Sequence, residues 1–186
     1  MNERQLFLVG SGRSNGNSEQ LARRAALGAP DAEQRWIHLL DHALPPFIDR
    51  RHDAIPLYPA PTGAEKLLLD ATLWADHLIF VSPLYWYAMP ADIKRYLDFW
   101  SAWLRHPTAD FKATMAGKRL SVVTSVSDED LEVATPMIKS YELTAKYMGM
   151  AMGEVIVGYG NRPGEVLLDE RLLDQVDAML KAPAAR

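Results

Sequence analysis

A chain of 186 residues, 48% of them hydrophobic, is long enough for one domain with a real core. It contains no cysteine, which excludes disulfides, iron–sulfur clusters, thiolate metal sites and thiol nucleophiles, so any redox chemistry must run on a bound cofactor. A net charge of −4, with no basic cluster longer than Arg23-Arg24 or Arg50-Arg51, is not the footprint of a nucleic-acid binder.

Residues 6–9 (Leu-Phe-Leu-Val) are wholly apolar and end at Gly10, the pattern of a strand buried on both faces. Residues 18–27 follow as a helix with Leu21, Ala22 and Ala25 on one side, stopped by Gly28 and Pro30. A second strand is expected at 36–40, then a long loop at 41–63, then a helix at 64–75. The third strand, 77–82, stops at Pro83, and a helix follows at 91–104. Strand four is expected at 120–124. Thr135 and Pro136 open the next helix, as cap and first helical residue, and Gly149 closes it. Strand five is read at 155–157 and a last helix at 170–181. Five short apolar strands alternating with helices describe a doubly wound parallel sheet covered on both faces. No repeat or linker divides the chain, so one domain spans 1–186.

Ligands of such sheets bind beyond the carboxyl ends of the strands. The first loop there reads Gly10-Ser11-Gly12-Arg13-Ser14-Asn15-Gly16-Asn17-Ser18 and runs into a helix. Glycines let backbone amides curl round an anion, the helix N-terminus adds orphan donors, and Arg13 adds a charged fork. A phosphate suits this loop better than a plain turn with Asn17 or Ser18 as helix cap. Gly10, Gly12 and Gly16 also form a loose dinucleotide fingerprint, with Asp41 after strand two as the ribose acid. No Gly-Lys-Ser/Thr is present, so a P-loop NTPase is excluded, and no G-x-S-x-G elbow points to a serine hydrolase.

The second loop, Ser82-Pro83-Leu84-Tyr85-Trp86-Tyr87-Ala88-Met89-Pro90, carries three consecutive aromatics at the same sheet edge. Aromatic faces and free backbone amides are what a flat heteroaromatic ring needs. Together the two loops resemble those of the flavodoxin-like NAD(P)H-dependent FMN reductases and NAD(P)H:quinone reductases. Ser11, Arg13, Gly16, Asn17 and Ser18 match that family's phosphate loop. Ser82 to Trp86, Met89-Pro90, Ile93-Lys94 and Leu97-Asp98 match its second motif.

The resemblance implies an α/β flavodoxin-like fold: a three-layer α/β/α sandwich whose five-stranded parallel sheet runs 2-1-3-4-5. It implies FMN, with phosphate on Ser11, Arg13, Asn17 and Ser18 and the ribityl chain and ring along Pro83, Leu84, Tyr85 and Trp86. NADPH or NADH would be co-substrate, and a quinone-like or other small aromatic molecule the acceptor, in a ping-pong cycle. The family reads the flavin edge with a glycine-rich loop after strand four. Here that loop is Thr124-Ser125-Val126-Ser127-Asp128-Glu129-Asp130, with hydroxyls at Thr124, Ser125 or Ser127 in place of glycines. A carboxylate near the ring opposes the charge of reduced flavin, lowering its potential or its affinity. The other functional class open to this chain is a flavodoxin-type electron carrier or non-catalytic flavin-binding module.

Ile93, Tyr96, Leu97, Trp100 and Leu104 form a core stripe on the helix after Pro90. Phe99 and Trp103 form a second ridge, either core or a dimer seam. Family members are commonly homodimers or homotetramers, which the resemblance extends to this chain. The five histidines show no metal-binding spacing, so no metal is expected. His52 and Tyr58 on the long loop are candidates to meet substrate. No apolar run approaches the ~20 residues of a membrane span, and the first five residues lack a signal-peptide pattern, which makes the cytoplasm the expected location.

Overall fold

Strands β1 (Arg4–Val9), β2 (Glu33–His38), β3 (His77–Val81), β4 (Arg119–Val126) and β5 (Ala151–Tyr159) form one parallel sheet in the order β2-β1-β3-β4-β5. The structure is a computed structural model and describes residues 2–53, 58–106 and 109–181. Side-chain alternation along the strands feeds two cores. Leu6, Leu8, Leu78, Phe80, Leu120 and Val122 face α2 (Gly63–Trp74), α3 (Ala91–Trp103), α4 (Phe111–Met115) and α5 (Thr135–Met148). Phe7, Val9, Ile79, Val81, Val123 and Ile156 face α1 (Asn17–Ala26) and α6 (Glu170–Met179). The loops after β1 and β3 therefore leave the sheet toward opposite layers, which opens a crevice between adjacent strands at their carboxyl ends.

The strand order matches the flavodoxin-like expectation and removes the dinucleotide-fold alternative, which needs order 3-2-1-4-5-6. Asp41 lies exposed in a 3-10 turn (Leu39–His42) that ends β2 earlier than the apolar run suggested. Strand β5 is nine residues long, against three expected, because Gly153, Glu154 and Gly158 interrupt its apolar pattern. Gly158 lets α6 and α1 press on the strand: a Cβ there would lie 2.8 Å from a Leu172 methyl and 2.9 Å from a Leu21 methyl, so those side chains would have to shift. Helix α5 begins at Thr135 itself, with Ala134 at the cap position.

Helix α4 is absent from the sequence reading and overturns part of it. Trp103 packs between Tyr96 and Phe111 at ring distances of 5.6 and 5.5 Å, and its Nε1 donates to Glu65 at 3.1 Å. Phe99 meets Phe47 edge-on at 5.5 Å. Both ridge residues are buried, so this ridge is core and not a seam. Ile93, Tyr96 and Trp100 are buried as expected, whereas Leu97 and Leu104 are only partly covered.

The amino-terminal edge of the sheet is closed by paired charges. Arg4 clamps Asp76 through Nε (3.0 Å) and Nη2 (2.6 Å), and Arg119 pairs with Glu3. The Lys118 ammonium donates to the carbonyls of Thr72 (3.0 Å), Leu73 (2.7 Å) and Ala75 (2.5 Å), capping the end of α2. His77 is buried with Nε2 2.8 Å from Ser121 Oγ. Burial, and then the Arg119 charge, push its ring down to about 3, so it is neutral.

Candidate functional site

At the carboxyl edge, three loops converge. The first leaves β1 at Gly10, whose amide donates to Val81 O (3.0 Å). A side chain at Gly10 would collide with Ile93, 2.4 Å from the ideal Cβ, so glycine lets this loop pass directly over the start of α3. Ser11 Oγ donates to Arg13 O (2.8 Å) and accepts from Arg13 N (3.1 Å), folding the loop on itself. Asn15 sits at φ +55°, held by Glu19, whose carboxylate accepts its amide at 2.8 Å. Glu19 is itself buried and paired with Arg23. Gly16 is the N-cap of α1, so no side chain satisfies the first-turn amides, and the cap role considered for Asn17 or Ser18 does not hold.

Asn17 does something else. Its amide nitrogen donates to Gly160 O (2.9 Å) and Arg162 O (3.0 Å), and its oxygen accepts from Gly164 N (2.8 Å). Both side-chain amide hydrogens are committed, which leaves Asn17 only its backbone N–H, in the uncapped first turn of α1, to offer a phosphate. Asn17 is a staple between α1 and the loop after β5. That loop is further held by Glu165, which accepts from Asn161 N and Arg162 N; these two bonds hold its carboxyl below the usual range. The Gly-Asn-Arg-Pro-Gly run at 160–164 was the sequence signal of this fourth loop, a turn cluster at a strand's carboxyl end.

The second loop turns tightly at Tyr85–Ala88, with reciprocal amide–carbonyl bonds of 3.1 Å. Its two central residues, Trp86 (φ +49°) and Tyr87 (φ +61°), both occupy the left-handed region, the geometry of a type I′ turn. Bulky residues there cost on the order of 1 kcal/mol each, and Trp86 is also 93% exposed. Strain and an exposed indole together mark a turn shaped for something other than stability. Tyr85 brings its hydroxyl 3.9 Å from where a Cβ of Gly12 would stand, so the first and second loops meet.

Strand β4 runs on to Val126, two residues past the expected end, so Thr124 and Ser125 belong to the strand that feeds the third loop, and Ser125 joins the first through a hydroxyl pair: Ser18 Oγ and Ser125 Oγ lie 2.9 Å apart. One proton serves that bond, so the second hydroxyl proton is left to donate elsewhere. Leu84 N donates to Ser125 O (3.4 Å), tying the second loop to the third. Thr124 is wholly buried and its Oγ1 has no partner, one of few such atoms among the described residues. A cavity of about 200 Å³ lies between Leu84, Trp86 and Tyr87 on one side and Val126, Ser127 and Asp128 on the other. Tyr87, Val126 and Asp128 were placed by sequence in these two loops but not among the named binding residues; the fold sets the two loops face to face and makes them lining residues.

The family described by its flavodoxin-like fold, Flavodoxin_2, matches residues 3–181. The chain belongs to this family. Within the Flavodoxin_2 family it is 34% identical over 173 residues to a Bacillus subtilis protein, YwqN, named for NAD(P)H-dependent, FMN-containing oxidoreductase activity; the match covers 92% of this chain and 93% of that one. Its fold is also similar to a solved structure of the Trp repressor binding protein from Bacillus subtilis (TM-score 0.76, 29% identity, 96% of this chain and 99% of that one). A second similar structure is an FMN-dependent NADH-azoreductase from Bacillus anthracis in complex with FMN (TM-score 0.66, 15% identity, 95% and 97% covered), a likeness of fold.

Two other features bear on this site. A groove of about 780 Å³ runs between α3 and α5, past Leu97, Trp100, Leu104, Leu143 and Tyr147, and reaches Tyr87, which also lines the smaller cavity. His52 is exposed, and Tyr58 is turned inward: its hydroxyl accepts from Arg50 N (2.9 Å) and its ring stacks on Phe47. Residues 54–57 of the long loop lie outside the described residues. Among the described residues, no helix is long and apolar enough to cross a membrane.

Proposed function

We propose that this protein is an NAD(P)H-dependent FMN oxidoreductase that passes hydride from NADPH or NADH through bound FMN to a small-molecule electron acceptor, quinone-like or otherwise aromatic. The observation that carries this reading is the convergence of three loops at the switch point, joined by the Ser18–Ser125 hydroxyl pair and the approach of Tyr85 to Gly12. The donor set suits FMN. Arg13, whose guanidinium is exposed, and the uncapped first turn of α1 offer positive charge and amides to a phosphate. Ser11 and Gly16 shape that cradle, and Ser18 with Ser125 leaves one hydroxyl proton toward it. Pro83, Leu84, Tyr85 and Trp86 would hold the ribityl chain and one side of the ring. Thr124, near the end of β4, has an unpartnered hydroxyl to offer the ring.

When bound, FMN supplies the redox chemistry, and the chain needs no acid or base of its own for hydride transfer. The protein's part is to fix the ring between the second and third loops and to shelter it from water. Donor and acceptor would use the same open side in turn, a ping-pong sequence. The partly covered groove beside Tyr87 supports a homodimer or homotetramer in which this face is covered.

The test is direct. FMN added to the purified protein should lose fluorescence on binding, NADPH or NADH should bleach the bound flavin without oxygen, and a quinone should restore its colour. Parallel lines in double-reciprocal plots for donor and acceptor would support ping-pong. Bound flavin that neither nucleotide reduces would make the chain a carrier, and unquenched FMN would overturn the flavin reading altogether.

A further inference from the structure

We infer that Asp128 sets the reduction potential of the bound flavin, holding it lower than the uncharged walls of the same cavity would. The inference rests on the FMN reading above. The cavity between the second and third loops is lined by apolar and neutral groups apart from Asp128. No Lys, Arg or His among the described residues lines it. One Asp128 oxygen accepts the Asp130 amide at 2.9 Å, which fixes the carboxylate in an Asx turn at the cavity's edge. Its other oxygen takes no hydrogen bond or ion pair among the described residues. The next acids do not share this position. All three acids are exposed, and Asp130 likewise accepts one amide, Glu132 N (3.0 Å), at the start of a 3-10 turn (Leu131–Ala134), but of the three only Asp128 lines the cavity.

The chemistry follows from charge. Hydride transfer moves two electrons and one proton from the nicotinamide to the flavin ring, so a neutral ring becomes an anion and the nicotinamide leaves as its cation. A carboxylate without a compensating cation raises the energy of the anionic ring more than that of the neutral one. It therefore weakens binding of the reduced form relative to the oxidised form and lowers the potential by the same free energy. The outcome is a flavin that is a stronger reductant toward its acceptor and is refilled with a smaller drop from NAD(P)H.

The experiment compares the wild type with Asp128→Asn, which keeps the oxygen that accepts the Asp130 amide. FMN affinity is read by fluorescence quenching, and the midpoint potential by equilibration with a reference dye during anaerobic reduction. Asp128→Asn should raise the ratio of reduced to oxidised FMN affinity about tenfold, about 30 mV in a two-electron potential, with oxidised affinity little changed. Glu129→Gln should leave the potential where it is. An unchanged potential in Asp128→Asn, or an equal shift in Glu129→Gln, overturns the assignment to Asp128. If Asp128→Asn does not fold, Asp128→Ser offers the same local turn and is held to the same outcomes. A wild-type chain that takes up no FMN is a separate result: it overturns the flavin reading and this inference with it.

Discussion

The two ends of the same sheet are built on opposite terms. At the amino end, Arg4 with Asp76 and Glu3 with Arg119 pair charges at close range, Lys118 caps three carbonyls at the end of α2, and a neutral His77 is buried against Ser121. At the carboxyl end, Arg13 is exposed, the first turn of α1 is uncapped, and Trp86 stands in solvent on a left-handed backbone. The reason is the direction of the chain. Each crossover helix runs back antiparallel to its strands, so helix N-termini with free amides gather at the carboxyl edge and helix C-termini with free carbonyls at the amino edge. One edge is thereby suited to hold an anion, and the other must satisfy its carbonyls with its own cations.

That contrast can be broken from either end. The largest effect belongs to His77. Its ring is held neutral in the fold at about 3, while the unfolded chain takes up a proton near 6.5. Between those values the unfolded state binds more protons, so stability falls as pH falls through the window, by up to about 1.4 kcal/mol per pH unit. His77→Gln should flatten this acid limb in urea unfolding followed from pH 7 to pH 4, and should leave FMN affinity unchanged. An acid limb as steep as the wild type's would show that other groups carry it.

Arg13→Ala is the matching test at the other end. Loss of a charged hydrogen bond to phosphate is worth about 1.5–3 kcal/mol, so FMN should bind roughly 10–100-fold more weakly, with no change in the thermal midpoint. A large fall in that midpoint would instead place Arg13 in the scaffold. Asn17→Ala sits between the two behaviours. It removes three hydrogen bonds to the loop after β5 and should cost about 1–3 kcal/mol in stability while also weakening FMN, since that loop supports α1's first turn. Unaltered FMN affinity in the folded variant would confine Asn17 to structure. The smallest effect is expected from Trp86→Gly. Relief of the left-handed backbone should raise stability by up to about 1 kcal/mol in denaturant titration, and removal of the indole should lower affinity for the flavin or its acceptor. A variant that gains stability without losing affinity would mean that the strained turn serves neither.

The predicted site was legible to unequal degrees. Ser11, Arg13, Gly16 and Ser18 could be picked out because glycines and short polar residues between a strand and a helix admit few uses. Pro83 to Trp86 stood out because three consecutive aromatics in a turn are hard to explain by packing alone. Asn17 looked the same as its neighbours in sequence, yet its side chain's partners lie more than 140 positions away and commit both of its side-chain hydrogens. Phe99 and Trp103 looked like a spare ridge because the short helix that covers Trp103, α4, has too few residues to show a periodic pattern.

The sequence by itself determined the alternation of strands and helices, the parallel sheet and the two chemistry-bearing loops, since these depend on local apolar runs and turn residues. Tertiary structure alone decided which donors remain free, which aromatic ridge is core, and that Asp128 faces the cavity beside Trp86. Those are matters of distance between segments far apart in the chain, where a hydrogen bond once committed cannot be offered twice.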